Sequence, residues 1–178
     1  MPGNDGPRIE LIDATSALLE AATDDTQFSA LLDGAVIAKD WLDFPDALEN
    51  MRNLYRDAPS PKPWGTLFFV LNDASTPGAT SRTMIGWGGY KGAPTDDGEV
   101  EIGYAIAPAF RGRGLATLAA QTMRARAFDS SRVTTIIAHT LAEKNASVRI
   151  LEKLGFAFDG AIEEPEHGEV WRWRLARS

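Results

Sequence analysis

The chain has 178 residues, 44% hydrophobic and 24% charged, which is the make-up of one ordinary globular domain with enough chain for a proper core. Cysteine is absent, which excludes a disulfide framework, a zinc–cysteine site and a cysteine nucleophile. The 18 basic and 25 acidic residues leave a net charge of −7, a balance that argues against nucleic-acid backbone binding and is compatible with a cationic substrate such as an amine.

Residues 1–7 read as a loose N-terminus, and residues 8–178 as a single domain. No apolar run approaches the ~18 residues of a membrane span, and the first residues lack the apolar stretch of a signal peptide. The cytoplasm is therefore the expected compartment, and no membrane partner is expected. Asn145-Ala146-Ser147 matches the glycosylation sequon but means nothing without export.

Arg8 to Asp13 alternates weakly and predicts a first strand. Helical pieces follow at Ser16 to Ala22, Phe28 to Leu32 and Pro45 to Arg56, the last with proline in its first turn. Ala58 to Pro63 must be extended, because each proline pushes its predecessor out of the helical region. Gly65 to Asn72 and Met84 to Lys91 read as strands, with Asn72 to Arg82 a turn-rich loop between them. Thr95 to Gly98 is a turn leading into a strand over Glu99 to Ala107, ended by Pro108.

A helix is expected from Leu115 to Phe128, then a buried strand over Val133 to His139. Val148, Ile150, Leu151 and Leu154 give the next helix an apolar face, and Gly155 stops it. Phe156 to Phe158 and Glu169 to Leu175 close the chain as strands. The order predicts a mixed α/β sandwich, not a doubly wound fold.

The chemistry concentrates where the strand ending at Ala107 meets the helix starting at Leu115. The first amides of a helix lack partners, and the helix dipole makes that end positive. Gly112 and Gly114 let an anion approach the backbone, and Arg111 and Arg113 add charge. On physical grounds this is a pyrophosphate cradle; its bland alternative is a glycine turn with two solvated arginines. It is neither a Gly-x-x-x-x-Gly-Lys-Ser/Thr loop nor a Gly-x-Gly-x-x-Gly dinucleotide turn, since Thr117 stands at the third glycine position.

Arg111-Gly112-Arg113-Gly114-Leu115-Ala116 resembles the Arg/Gln-x-x-Gly-x-Gly/Ala signature of the GNAT N-acetyltransferase superfamily. Asn145-Ala146-Ser147 followed by Leu151-Glu152-Lys153-Leu154-Gly155-Phe156 resembles its second motif, at the right spacing. The likeness covers roughly residues 84 to 160, and Glu101-Ile102-Gly103-Tyr104 looks like the branch of ribosomal-protein N-terminal acetyltransferases (the RimJ/RimL type).

The resemblance implies a mostly antiparallel sheet whose splay holds acetyl-CoA, with no metal. Backbone groups of Tyr104, Ala105 and Ile106 would pair with the pantetheine. Amides from Arg111, Gly112, Arg113, Gly114, Leu115 and Ala116 would hold the pyrophosphate. Asn145 and Ser147 would bond the cofactor, or Asn145 serves as a plain helix cap.

Transfer needs a neutral amine, hence a base. On a regular strand Glu99, Glu101, Gly103 and Ala105 share one face, where a carboxylate beside small residues leaves room for a ligand. The resemblance implies Glu101 as the base, acting directly or through water, with Glu99 the lesser candidate. It also implies a frequent bulge in this strand, which would shift the alternation.

Leu151 stands where the family often has a tyrosine acid, so the acid is unassigned, with Ser147 or water open. Tyr104 reads as core. His139 reads as structural and His167 as part of a solvated acidic turn, so no metal is expected. Trp171-Arg172-Trp173-Arg174 reads as a half-buried strand; Trp41, Trp64 and Trp87 fill the core or line an acceptor pocket.

The expected activity is acetyl-CoA-dependent N-acetylation of a primary amine, on a peptide N-terminus or a small molecule. The alternative is a non-catalytic acyl-CoA sensor, supported by Leu151. A nucleic-acid-binding domain is disfavoured by charge. A homodimer is the oligomer expected on frequency alone.

Overall fold

The computed structural model describes residues 6–42, 44, 46–57, 62–76, 79–165 and 167–178. Strand β1 spans Arg8–Asp13, as the alternation predicts. Thr15 caps α1 (Ser16–Ala21), and Asp24 caps α2 (Asp25–Leu31) by accepting from the amides of Thr26 and Gln27. A two-residue strand, β2 (Val36–Ile37), escapes sequence reading because it is too short to show a period. Helix α3 spans Ala47–Asp57. The predicted proline start at Pro45 and most of the predicted extended stretch, residues 58–61, lie outside the described residues.

The largest departure from expectation is the stretch from Asn72 to Arg82. Its Asn, Asp, Ser, Thr, Pro and Gly content reads as loop, yet β3 (Thr66–Thr76) and β4 (Ala79–Tyr90) extend into it from both sides and pair as far as Thr76 with Ala79; residues 77–78 lie outside the described residues. Asn72 pairs with Arg82 and Asp73 with Ser81. Arg82 holds Glu10 of β1 at 2.7 Å, so neighbouring strands impose pairing that local propensity does not favour.

The rest follows the predicted order: β5 (Glu99–Ile106), α4 (Leu115–Asp129), β6 (Thr135–Leu141), α5 (Ala146–Lys153), β7 (Ala157–Glu164) and β8 (Gly168–Ala176). Strand β7 outruns its predicted length, because the acidic stretch beyond Phe158 pairs with β8. The strands form one sheet in the order β1-β3-β4-β5-β6-β8-β7, with β2 alongside β4. Among the described residues only β5–β6 and β2–β4 are parallel pairs, so the protein is mixed α/β with a mostly antiparallel sheet.

Two apolar layers sandwich the first half of the sheet. Phe28, Trp41, Phe68, Val70 and Met84 pack beneath α1–α3 on one face. Phe69, Ile85, Ile102, Met123, Ile136 and Leu151 pack with α4 and α5 on the other. The Tyr90 hydroxyl donates to the Met123 carbonyl at 2.8 Å, tying β4 to α4. No helix among the described residues is long and apolar enough to cross a membrane.

Two features of the sheet position the site. First, β5 pairs with β4 without a register shift from Ile102 to Ile106, so the alternation holds and Glu99, Glu101, Gly103 and Ala105 share a face. The expected bulge is absent from β5; a shift lies instead between Phe69 and Val70 of β3. Second, β5 and β6 pair only over Glu99–Glu101 and Thr135–Ile137, then diverge. Beyond Glu101 the β6-facing edge of β5 opens into a splay.

Close backbone approach explains a glycine of β4. A Cβ at Gly88 would stand 2.3 Å from the Gly103 carbonyl oxygen and 2.9 Å from Tyr104 Cα, so β5 itself would have to move. Gly88→Ala is expected to cost about 3 kcal/mol, the upper end of overpacking. Thermal unfolding should then show a midpoint lower by roughly 6–12 °C; an unchanged midpoint would contradict the strand spacing.

Candidate functional site

The turn after β5 builds the first half of the site. Gly112 and Gly114 take φ values of 73° and 76°, the left-handed region that other residues avoid. Gly114 is the N-cap of α4 and supplies no side-chain cap, so the amides of Leu115, Ala116 and Thr117 keep no partner within the helix. A Cβ at either glycine would meet nothing within 4 Å, so the space before these amides is open. Open room before uncapped amides at a positive helix end fits a pyrophosphate.

A cavity of about 560 Å³ runs from this turn along the splay. Of the residues that sequence reading singles out, Tyr104, Ala105, Ile106, Arg111, Gly112, Gly114, Leu115, Ala116 and Ser147 line it. Arg113 and Asn145 do not. Arg113 stacks over Phe110 at 5.4 Å, and Asn145 uses Oδ1 to cap α5 by accepting from the Val148 amide at 3.0 Å. Arg111 turns back so that its Nε donates to the Ile106 carbonyl at 2.8 Å, bracing the end of β5.

Sequence reading missed the cavity's other cations. Arg149 and Lys153 line it beside Ala146 and Ile150. The signal was available: positions 146, 149, 150 and 153 fall on one helical face. These two side chains bring positive charge to the cavity that the glycine turn also lines.

A second cavity of about 590 Å³ lies on the other side of β5, over the glycine-rich end of β4. Trp64, Trp87, Tyr90, Lys91, Gly103, Tyr104 and Ala105 are among its walls. Trp64 and Trp87 thus do both jobs that sequence reading weighed, packing against the core and lining a pocket, whereas Trp41 is core alone. The two cavities share Phe44, Tyr104 and Ala105, so they meet at the middle of β5.

Glu101 stands at the edge of this meeting point, on the face of Gly103 and Ala105. Its Oε1 takes two contacts: an ion pair from Lys91 Nζ and a hydrogen-bonding contact with His139 Nδ1 at 2.9 Å. Oε2 takes none among the described residues. Glu101 itself lines neither cavity; its ion-pair partner Lys91 lines the second. Glu99 is committed elsewhere, to Arg172 at 2.7 Å, which also holds Asp159 at 2.8 Å.

His139 packs beside Glu101 with its Nε2 buried and without a partner. Tyr104 is only half core: its ring packs against the apolar layer, yet it lines both cavities. Its hydroxyl is buried, near the Ser147 hydroxyl but without a partner in good hydrogen-bonding geometry among the described residues. Burial pushes the phenol up from its ordinary value, and the neighbouring Ser147 hydroxyl pulls the other way. Leu151 is fully buried in the core and does not reach the cavity among the described residues.

His167 pairs with Glu164 at 3.3 Å in the β7–β8 turn. Among the described residues no cluster of three His, Asp or Glu side chains could hold a metal ion.

Comparisons with known proteins agree with this architecture. An uncharacterised N-acetyltransferase, YjdG, of Bacillus subtilis (strain 168) is 32% identical over 84 residues, which is 47% of this chain and 50% of that protein. The alignment thus spans about half the length of that relative. A spermidine N-acetyltransferase chimera, SpeG from Vibrio cholerae with hSSAT, superposes with a TM-score of 0.65 at 16% identity, covering 95% of both chains. A RimL ribosomal L7/L12 α-N-protein acetyltransferase solved with coenzyme A gives 0.64 at 15% identity, over 95% of this chain and 94% of that one. At such identities these structures speak for the fold. Residues 13–157 match the acetyltransferase (GNAT) domain, so the chain belongs to the GNAT acetyltransferase family.

Proposed function

We propose that this protein is an acetyl-CoA-dependent N-acetyltransferase that moves the acetyl group to a primary amine by direct attack. The observation that carries the reading is the meeting of two cavities at Tyr104 and Ala105. One has an anion cradle at its end and fits a CoA; the other leaves room for an acceptor. An amine entering from the second would meet a thioester lying in the first.

The chain's residues divide the work. The amides of Leu115, Ala116 and Thr117 bind pyrophosphate, and Arg149 and Lys153 supply countercharge. The free edge of β5 from Tyr104 to Ile106 pairs with the pantetheine amides. Glu101 takes the amine proton through a water held at Oε2, while Lys91 and His139 fix its carboxylate from the other side. A backbone amide of the splayed strand steadies the oxyanion. The N–C bond forms first to give this oxyanion, its collapse breaks the C–S bond, and the thiolate takes its proton from water, which regains one from Glu101. With a thiol pKa near 8.5, this last demand is modest, so Leu151 in the family's tyrosine position does not prevent turnover.

The reading places the protein among soluble partners: an amine acceptor, no nucleic acid, no membrane, and a second copy of itself as the oligomer to test. Titration calorimetry with acetyl-CoA, followed by thiol release against a panel of amines and N-terminal peptides, tests it. Micromolar binding with amine-dependent release is expected. Binding without release from any acceptor would instead favour the acyl-CoA sensor, to which the buried Leu151 points.

A further inference from the structure

The second cavity has a chemistry of its own. Its described walls are Phe44, Leu54, Trp64, Trp87 and Tyr104 over a floor of glycines, with Lys91 at one end. Lys91 is the one charged side chain among the described lining residues, and no carboxylate is among them. The net charge of the chain is −7, so this described lining differs from the composition as a whole.

Exposure adds an independent observation. Phe44 and Leu54 are 62% and 59% exposed, and both border this cavity. Large apolar side chains left open around a concavity gain by being covered. The floor is also clear: a Cβ at Gly103 would meet nothing within 4 Å, and Gly103 and Ala105 both line this cavity.

We infer that the acceptor is a primary amine carried on an aromatic or large apolar body, and not a polyamine; this rests on the N-acetyltransferase reading above. The body lies among Trp64, Trp87, Phe44 and Leu54, and the amine points over Gly103 to the thioester. A polyamine would bring several ammonium groups into the same walls. An indole face can attract one such charge and Glu101 can serve the reacting amine, but each further ammonium would lose water without a carboxylate among the described lining residues. A small arylalkylamine and a peptide beginning with an aromatic residue offer the same chemistry.

The test uses the whole chain loaded with acetyl-CoA. Thiol release is measured with 2-phenylethylamine, with spermidine, and with peptides beginning with Phe or Ser; binding of each to the CoA-loaded protein is measured by calorimetry. A preference of roughly 10- to 100-fold for the aromatic member of each pair is expected, the factor that burying one such ring supplies. Leu54→Asp, at an exposed position that should fold normally, should shrink or invert the phenylethylamine-to-spermidine ratio.

Turnover of the free aromatic amine would identify a small-molecule acceptor, and turnover of the Phe peptide alone a protein N-terminus; either supports the inference. Equal or better use of spermidine, or no binding of either aromatic acceptor, overturns it while leaving acetyl transfer standing. Failure to bind acetyl-CoA at all would instead remove the N-acetyltransferase reading on which it rests.

Discussion

Gly114→Asp is expected to weaken acetyl-CoA binding by about 100-fold or more, while Gly114→Asn, of the same shape, weakens it far less. Gly114 caps α4 at φ 76°, and a Cβ there meets nothing within 4 Å, so neither side chain clashes. Both residues tolerate the left-handed region better than others, at a cost of about 1–2 kcal/mol. The two variants therefore share one backbone penalty and differ in charge. The aspartate puts a negative group before the amides that a pyrophosphate would occupy. A like charge at that distance is worth about 4 kcal/mol near a protein surface, before salt screens it. Calorimetry with acetyl-CoA, beside a melting curve for each variant, measures the contrast. Equal affinities for the two variants would move the anion site away from α4.

Glu101→Gln is expected to lower turnover of an alkylamine by about 100-fold at neutral pH, within the range a positioned base supplies. An alkylamine with pKa near 10.4 is about 4.6 kcal/mol from neutral at pH 7, whereas an α-amine near 7.8 is about 1 kcal/mol away. The variant should therefore lose most on alkylamines, and its deficit should shrink as pH rises and free amine accumulates. Acetyl-CoA affinity should hold, because Glu101 lines neither cavity and sits beside Lys91 and His139 instead. Parallel pH–rate profiles for variant and parent across pH 6 to 9 would remove Glu101 as the base.

The parts of the site that were legible in the sequence are those that lie close together along it. The run from Glu99 to Ala116 carries strand alternation, a stop at Pro108, and two glycines whose left-handed φ values the turn requires. Each of these is a local rule, and the structure keeps them all. Asn145 is equally local, and its capping hydrogen bond to Val148 spans three residues.

What stayed hidden depends on contacts between distant residues. His139 is 38 positions from Glu101 in sequence, and only the parallel pairing of β5 with β6 brings them together. Lys91 reaches Glu101 because β4 and β5 are neighbours. The same pairing turns Trp64 and Trp87 into cavity walls, which alternation alone cannot distinguish from core. The β3–β4 hairpin was misread for a related reason: Asn72 and Arg82 look like loop residues until Glu10 of β1 and the register across the strands are known. Arg149 and Lys153 were visible as a helical face, but a cationic face usually points to water, and only the splay turns this one towards a cavity.

In the proposed reaction both substrates occupy one site together and react directly. With no cysteine in the chain, a thiol nucleophile of the protein cannot carry the acetyl group in between. The measurement that tests this most directly is the initial rate of thiol release with acetyl-CoA and an amine varied against each other. Release that depends on the amine, with double-reciprocal lines that intersect, is the predicted result. Parallel lines, the mark of an acetylated enzyme, would contradict direct attack.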